Sequence, residues 1–358
     1  MTNKTKLKSL LNEKIMTGSL VAKWMPRPNV TSREAKKQAT TLRKHLGLDP
    51  KSYRKLLVEN SRTVEQLMCS KNWSAIEYSK LPSKAMSNLM KAFSKNDLAR
   101  FQAYLTSLEK GEVKINAGAV YPYDVIMNMR HGNKTGANAQ WLALPNYMEG
   151  TEERILPLVD VSSSMNQTVG DNHNLNVLTV AISLGLYLCE RNIGPFKDAF
   201  MTFHSDSTLI TVKGSLSERY EQMARSPWGG STNLASSFNA ILAKAVQYSI
   251  PQSEMPTMFI IFSDMEFNVA DRNWNHTAQE MIEQKYAQAG YTMPKIVYWN
   301  LASRGDKNKP VQFDKNGTAL VSGFSPSLLK SILGGEEVTP LSMMSKVIDS
   351  ERYACVTV

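Results

Sequence analysis

The chain has 358 residues, 42% of them hydrophobic, and a formal net charge of +10. That is enough apolar material for two ordinary domains or one large one, and no run of about eighteen apolar residues is present to span a membrane. Its three cysteines, Cys69, Cys189 and Cys355, are odd in number and far apart, which argues against a disulfide framework or a cysteine-rich zinc site and points to a cytoplasmic setting.

The N-terminus is basic but lacks the apolar stretch of a secretory signal. Charge is distributed unevenly. Residues 1–150 hold 25 Lys and Arg against 11 Asp and Glu, and the remainder is mildly acidic. A basic half beside a mildly acidic half predicts a polyanion-binding module joined to a module with another task. In the first half, Thr31 and Glu34 have capping-box spacing and Gly47 can stop the helix between them. Asp49-Pro50 restarts the chain as an N-cap followed by proline at the first helical position. Pro82 opens a further helix, Asn96 caps the next, Gly111 ends it, and a shorter one begins at Pro122. Successive helices with short joints predict an all-helical, solenoid-like module over residues 1–148.

On the Ser32–Leu46 helix, Arg33, Lys36, Lys37, Arg43 and Lys44 fall within an arc of roughly 120°. Ala35, Ala39, Leu42 and Leu46 occupy the opposite side. Lys51, Arg54 and Lys55 continue the charge into the next helix. Cations of one sign along one face can track a phosphate backbone. Trp24 lies in a loop of the same half and is the aromatic best placed to stack on a base. Trp73 and Tyr78 read as core.

The second half, residues 149–358, changes period. Apolar runs of strand length occur at 155–161, 199–203, 208–212, 257–262 and 296–301, separated mostly by amphipathic stretches at 175–190, 234–248 and 274–289. Strands alternating with helices predict a doubly wound α/β domain with a mostly parallel sheet. The short joint "HSDS" predicts a hairpin and hence one antiparallel edge.

In such sheets ligands bind at the carboxyl ends of the strands. Asp160 ends the first strand and Ser162 and Ser164 follow, a spacing that lets three side chains converge. Oxygen donors without histidine or thiol suit a hard cation, Mg²⁺ or another such as Mn²⁺ or Ca²⁺. They do not complete a coordination sphere, so other loops must contribute. Thr232 follows two glycines in "PWGGSTNL", and Asp264 ends a buried strand in "IIFSDMEF".

This set resembles the metal-ion-dependent adhesion site of von Willebrand A domains: D-x-S-x-S, a threonine on a second loop and an aspartate on a third. The resemblance implies Ser162, Ser164 and Thr232 as direct ligands, with Asp160 and Asp264 acting directly or through water. It also implies a coordination position open to a Glu or Asp from a protein partner. The stretches "YRKLLVENSRTVEQLMCSKNWSAIEYSKLPSKAM", "FSKNDLARFQAYLTSLEKGEVKINAGAVYPYDVI", "VYWNL" and "VSGFSPSLLK" resemble a largely uncharacterised family of phage, bacterial and plant proteins that join a helical module to an A domain. More distantly, the architecture is similar to the Ro autoantigen family, whose helical TROVE module binds RNA; copies of such a chain could assemble.

The five histidines are scattered, and neither G-x-S-x-G nor a Walker-type phosphate loop occurs. The expectation is a non-enzymatic, Ro-like RNA-binding protein whose A domain docks a protein partner through a divalent cation. The alternative is a metal-dependent adaptor, for example for an ATPase, or a virion-associated structural protein that binds no RNA.

Overall fold

The computed structural model describes residues 21–61, 63–169, 172–202, 207–227, 234–265, 276–302, 318–325 and 328–333, with isolated positions beyond 340. The chain divides into two compact units, Met1–Val113 and Lys114–Val358.

The first unit is helical. Its described α-helices are Val21–Trp24, Arg33–Leu46, Pro50–Asn60, Val64–Cys69, Ser83–Asn96 and Leu98–Glu109, so Trp24 ends a short helix and does not lie in a loop. Ser32, not Thr31, caps the first long helix by accepting the Ala35 amide at 3.3 Å. Gly47 closes that helix in the left-handed region, φ 72°, where a side chain would be strained. Asp49 accepts the amides of Lys51 and Ser52 at 2.9 and 3.2 Å, with Pro50 in the first turn. A small core of Ala22, Met25, Ala39, Leu46, Tyr53 and Leu57 holds these elements together.

A second cluster centres on Tyr78, whose ring meets Phe93 and Phe101 edge-on at 5.1 Å each. Asn96 does not cap the Leu98–Glu109 helix; it ends the preceding one, and Asp97 stands at the joint. The Asp97 carboxylate serves tertiary contacts instead, accepting from the Tyr78 hydroxyl at 2.6 Å and from Arg100 at 2.8 Å.

The second unit contains a six-stranded sheet. Its strands are β1 (Ile155–Val159), β4 (Ala199–Met201), β5 (Leu209–Thr211), β6 (Met258–Ser263), β7 (Lys295–Asn300) and β8 (Thr318–Ser322). The order is β5-β4-β1-β6-β7-β8. All neighbours run parallel except β4 and β5, as the short joint between them predicts. A separate antiparallel pair, β2 (Thr168–Val169) with β3 (Asn172–Asn176), follows β1 directly and was not expected; nor was β8.

Both faces of the sheet are covered, so its central strands are apolar at nearly every position. Ile155 and Val159 of β1 face the helix Val177–Arg191, while Leu156 and Leu158 join the core that includes helices Leu234–Gln247 and His276–Gln288. Gly185 brings the Val177–Arg191 helix close to β1: a Cβ there would lie 2.7 Å from Val159 Cγ2.

The charge step near residue 150 does not coincide with the packing step at 113/114. Helices Pro122–Arg130 and Lys134–Leu142 send Val125, Ile126, Met129, Ala137 and Trp141 into the same core as Ile155 and Val159. The Trp141 indole donates to Glu190, and Arg191 donates to the Trp141 carbonyl at 2.9 Å while lying 4.2 Å from the Tyr187 ring centroid.

Candidate metal centre

The chain leaves β1 toward β4 on one side and leaves β6 toward β7 on the other. The adjacent carboxyl ends of β1 and β6 therefore form the switch point of the sheet, where open α/β folds place ligands. Each of these two strand ends carries a carboxylate. Asp160 follows β1 and donates its amide to the Phe262 carbonyl at 3.0 Å. Asp264 follows β6, and the carbonyl of Ser263 just before it accepts the Leu301 amide at 3.0 Å. Both aspartates sit where the ladder fixes their backbone.

Asp160 is 3% exposed and Asp264 6%. The two Asp160 oxygens are separately engaged: Oδ1 accepts the Ser162 amide at 2.9 Å and Oδ2 accepts the Ser263 hydroxyl at 2.8 Å. Burial pushes the Asp160 carboxyl above its ordinary pKa; hydrogen bonds from Ser162 and Ser263 oppose that shift, and the charge of Asp264 adds to it. No Lys or Arg among the described residues pairs with Asp160, so its ionised form lacks a compensating charge that a cation would supply.

The hydroxyls of Ser162 and Ser164 lie 3.0 Å apart. Two adjacent oxygens on an octahedral Mg²⁺ at about 2.1 Å would be separated by about 3.0 Å, so the spacing suits neighbouring coordination positions as well as the hydrogen bond it makes. The donors are hydroxyl and carboxylate oxygens, the chemistry a hard cation takes. Among the described residues no three His, Cys, Asp or Glu side chains cluster to hold a metal; this set draws half its donors from serine. Asp160, Ser162, Ser164 and Asp264 are thus brought to one strand-end crevice. Thr232 lies outside the described residues.

Two further residues belong to this crevice. Ser263 donates to Asp160 and accepts the Met265 amide at 3.0 Å, linking the two strand ends. Met265 has φ 63°, a strained value for a methionine. Gln167 donates from Nε2 to Asp264 Oδ2 at 3.0 Å. Ser263 could have been read from its place beside Asp264, whereas nothing in the sequence marks Gln167.

The family described as a domain of unknown function, DUF7788, matches residues 155–353, from the first residue of β1 onward. The chain belongs to the DUF7788 family. The described DUF7788 residues include the whole sheet and both carboxylate-bearing strand ends. A second family, also described as a domain of unknown function (DUF2828), matches residues 3–153. The uncharacterized protein L728 of Acanthamoeba polyphaga mimivirus is 32% identical over 353 residues, which cover 92% of this chain. The chain spans 60% of the length of that relative.

The cations singled out in the sequence precede the DUF7788 match. Arg33, Lys36, Lys37, Lys44, Lys51, Arg54 and Lys55 are exposed. Among the described residues Lys55 pairs with Glu59 at 3.7 Å. Arg43 differs: it is half-buried and donates to the Leu48 carbonyl at 2.8 Å. It stands at the rim of the basic arc next to Ala39, and one guanidinium nitrogen is engaged in closing the helix end. Trp24 is 74% exposed beside Lys23. No helix among the described residues is long and apolar enough to cross a membrane.

Proposed function

We propose that residues 149–358 act as a von Willebrand A-type domain that binds a divalent cation, Mg²⁺ in the first instance, and uses it to dock a protein partner. The observation that carries this reading is the convergence of Asp160, Ser162, Ser164 and Asp264 at the sheet's switch point. Ser162 and Ser164 are the hydroxyl ligands on the first loop. Asp160 and Asp264 supply the negative charge, with Thr232 as the remaining protein donor. When bound, the cation offers a Lewis-acidic position to a Glu or Asp carboxylate of the partner. The rigid strand ends hold the ligands; no residue is assigned a catalytic role.

The exposed cations of the helical portion support a second activity of the same chain, Ro-like binding of RNA through phosphates. Arg33, Lys37 and Lys44 lead on one face, with Lys36, Lys51, Arg54 and Lys55 beside them. Calorimetric titration of metal-free protein with Mg²⁺ and Mn²⁺ tests the first activity. Saturable binding in the wild type that is lost in Asp264→Ala supports it; heats that do not differ between the two remove it. Titration of a labelled RNA strand at several salt concentrations tests the second. A protein that binds cation and a protein partner but no RNA at low salt leaves the adaptor reading in place.

A further inference from the structure

The Gln167–Asp264 contact points to a residue that tunes the cation site without touching the cation. We infer that Gln167 is a positioning residue: its side-chain amide holds Asp264 by Oδ2 and so fixes how the carboxylate presents itself to the crevice. The inference rests on the metal-docking reading above and refines it. Three observations converge on Gln167. Its Nε2 lies 3.0 Å from Asp264 Oδ2, across 97 residues of sequence. Its own backbone is anchored, because its carbonyl accepts the Val177 amide at 3.0 Å where the Val177–Arg191 helix begins. Its backbone N–H donates to the backbone carbonyl of Ser164, the last residue of the D-x-S-x-S turn, at 3.2 Å.

Gln167 thus ties three parts of the site: the hydroxyl loop, the second strand end and the start of the helix behind them. The chemistry of the side chain matters. A neutral amide donor orients a carboxylate without cancelling its charge, whereas a lysine at the same place would neutralise it and compete with the cation. Groups that hold a metal ligand in orientation are commonly worth 10–100-fold in metal affinity. Mg²⁺ demands near-ideal octahedral geometry while Ca²⁺ tolerates irregular coordination. A loosened Asp264 should therefore cost more Mg²⁺ affinity than Ca²⁺ affinity.

The test is calorimetric titration of the metal-free full chain with MgCl₂ and, separately, CaCl₂, for wild type and Gln167→Met, which keeps the length and removes the donor. The expected result is Mg²⁺ affinity lower by about 10–100-fold, a smaller loss for Ca²⁺, and a metal-free melting temperature close to that of the wild type. Should Gln167→Met melt early, Gln167→Asn, which keeps the amide but withdraws it by one carbon, carries the test with the same expected order. A variant that keeps wild-type Mg²⁺ affinity, or that loses Mg²⁺ and Ca²⁺ affinity in equal proportion, overturns the positioning role and leaves the metal reading standing. A wild type that binds neither cation overturns both.

Discussion

Asp160 holds a carboxylate where water barely reaches it, and its hydrogen bonds come from neutral groups. Replacing it with Asn removes a buried negative charge beside Asp264 while keeping the size of the side chain. The metal-free Asp160→Asn protein should melt no lower than the wild type, because the charge it loses is one that burial disfavours. Its response to Mg²⁺ should disappear. At ten times Kd a cation bound only to the native state stabilises it by about 1.4 kcal/mol, which corresponds to roughly 3–6 °C for a unit of this size. Differential scanning fluorimetry with and without Mg²⁺ reads both effects; an Asp160→Asn protein that still gains several degrees would exclude Asp160 from the site. Arg43 makes a contrasting case at the same scale. Its guanidinium is committed to the Leu48 carbonyl, so Arg43→Gln should lower the stability of the helical unit by about 0.5–2 kcal/mol and leave the salt dependence of RNA binding almost unchanged. A clear drop in that salt slope without loss of stability would return Arg43 to the phosphate-facing set.

At the scale of elements, the Arg33–Leu46 helix and its neighbour offer charge on an exposed face. Changing Arg33, Lys37 and Lys44 together to Gln should flatten the log–log salt slope of single-stranded RNA binding by about 2, since each neutralised phosphate contributes about 0.7. Fluorescence anisotropy at graded salt measures the slope, and an unchanged value would make the face a solvated surface. The contact between the Val177–Arg191 helix and β1 is tighter. Gly185→Val would place a Cβ 2.7 Å from Val159 Cγ2, forcing helix and strand apart next to Asp160. Overpacking of this kind costs about 1–3 kcal/mol and should weaken cation binding as well, which thermal melts and titration of the same variant would show together. The strands that carry Asp160 and Asp264 were legible because a parallel sheet covered on both faces writes itself as unbroken apolar runs. The β2–β3 pair was not, because two short polar strands leave no periodicity to read. Gln167 escaped for a related reason: its partner is 97 residues away, and an isolated glutamine carries no motif.

For the molecule as a whole, charge and compactness divide the chain at different places. Composition marks a step near residue 150, but the apolar residues of Pro122–Arg130 and Lys134–Leu142 share one core with β1 and the Val177–Arg191 helix. Periodicity shows that a helix has an apolar face and does not show which neighbour covers it, so the division at 113/114 was out of reach of the sequence. A fragment beginning at Lys114 should fold cooperatively. One beginning at residue 149 would expose the surface that Val125, Ile126, Met129 and Trp141 cover, and would strip Glu190 and Arg191 of their indole and carbonyl partners. It should be markedly less stable or insoluble, as circular dichroism and gel filtration would reveal; equal melting of the two fragments would make the helix pair dispensable.

The same interlock bears on how such a chain can be rearranged over evolutionary time. The two family matches meet at residues 153 and 155, a seam that runs through a single core. A recombination event cutting there would hand the new host a domain whose Val177–Arg191 helix lacks the helix pair that packs on it, and leave the donor with Trp141 stripped of its Glu190 and Arg191 partners. A transferable cassette would have to include the stretch from about residue 114, so the end of the upstream match would travel with the downstream one, and substitutions at Trp141, Tyr187, Glu190 and Arg191 should be constrained as a group across the seam.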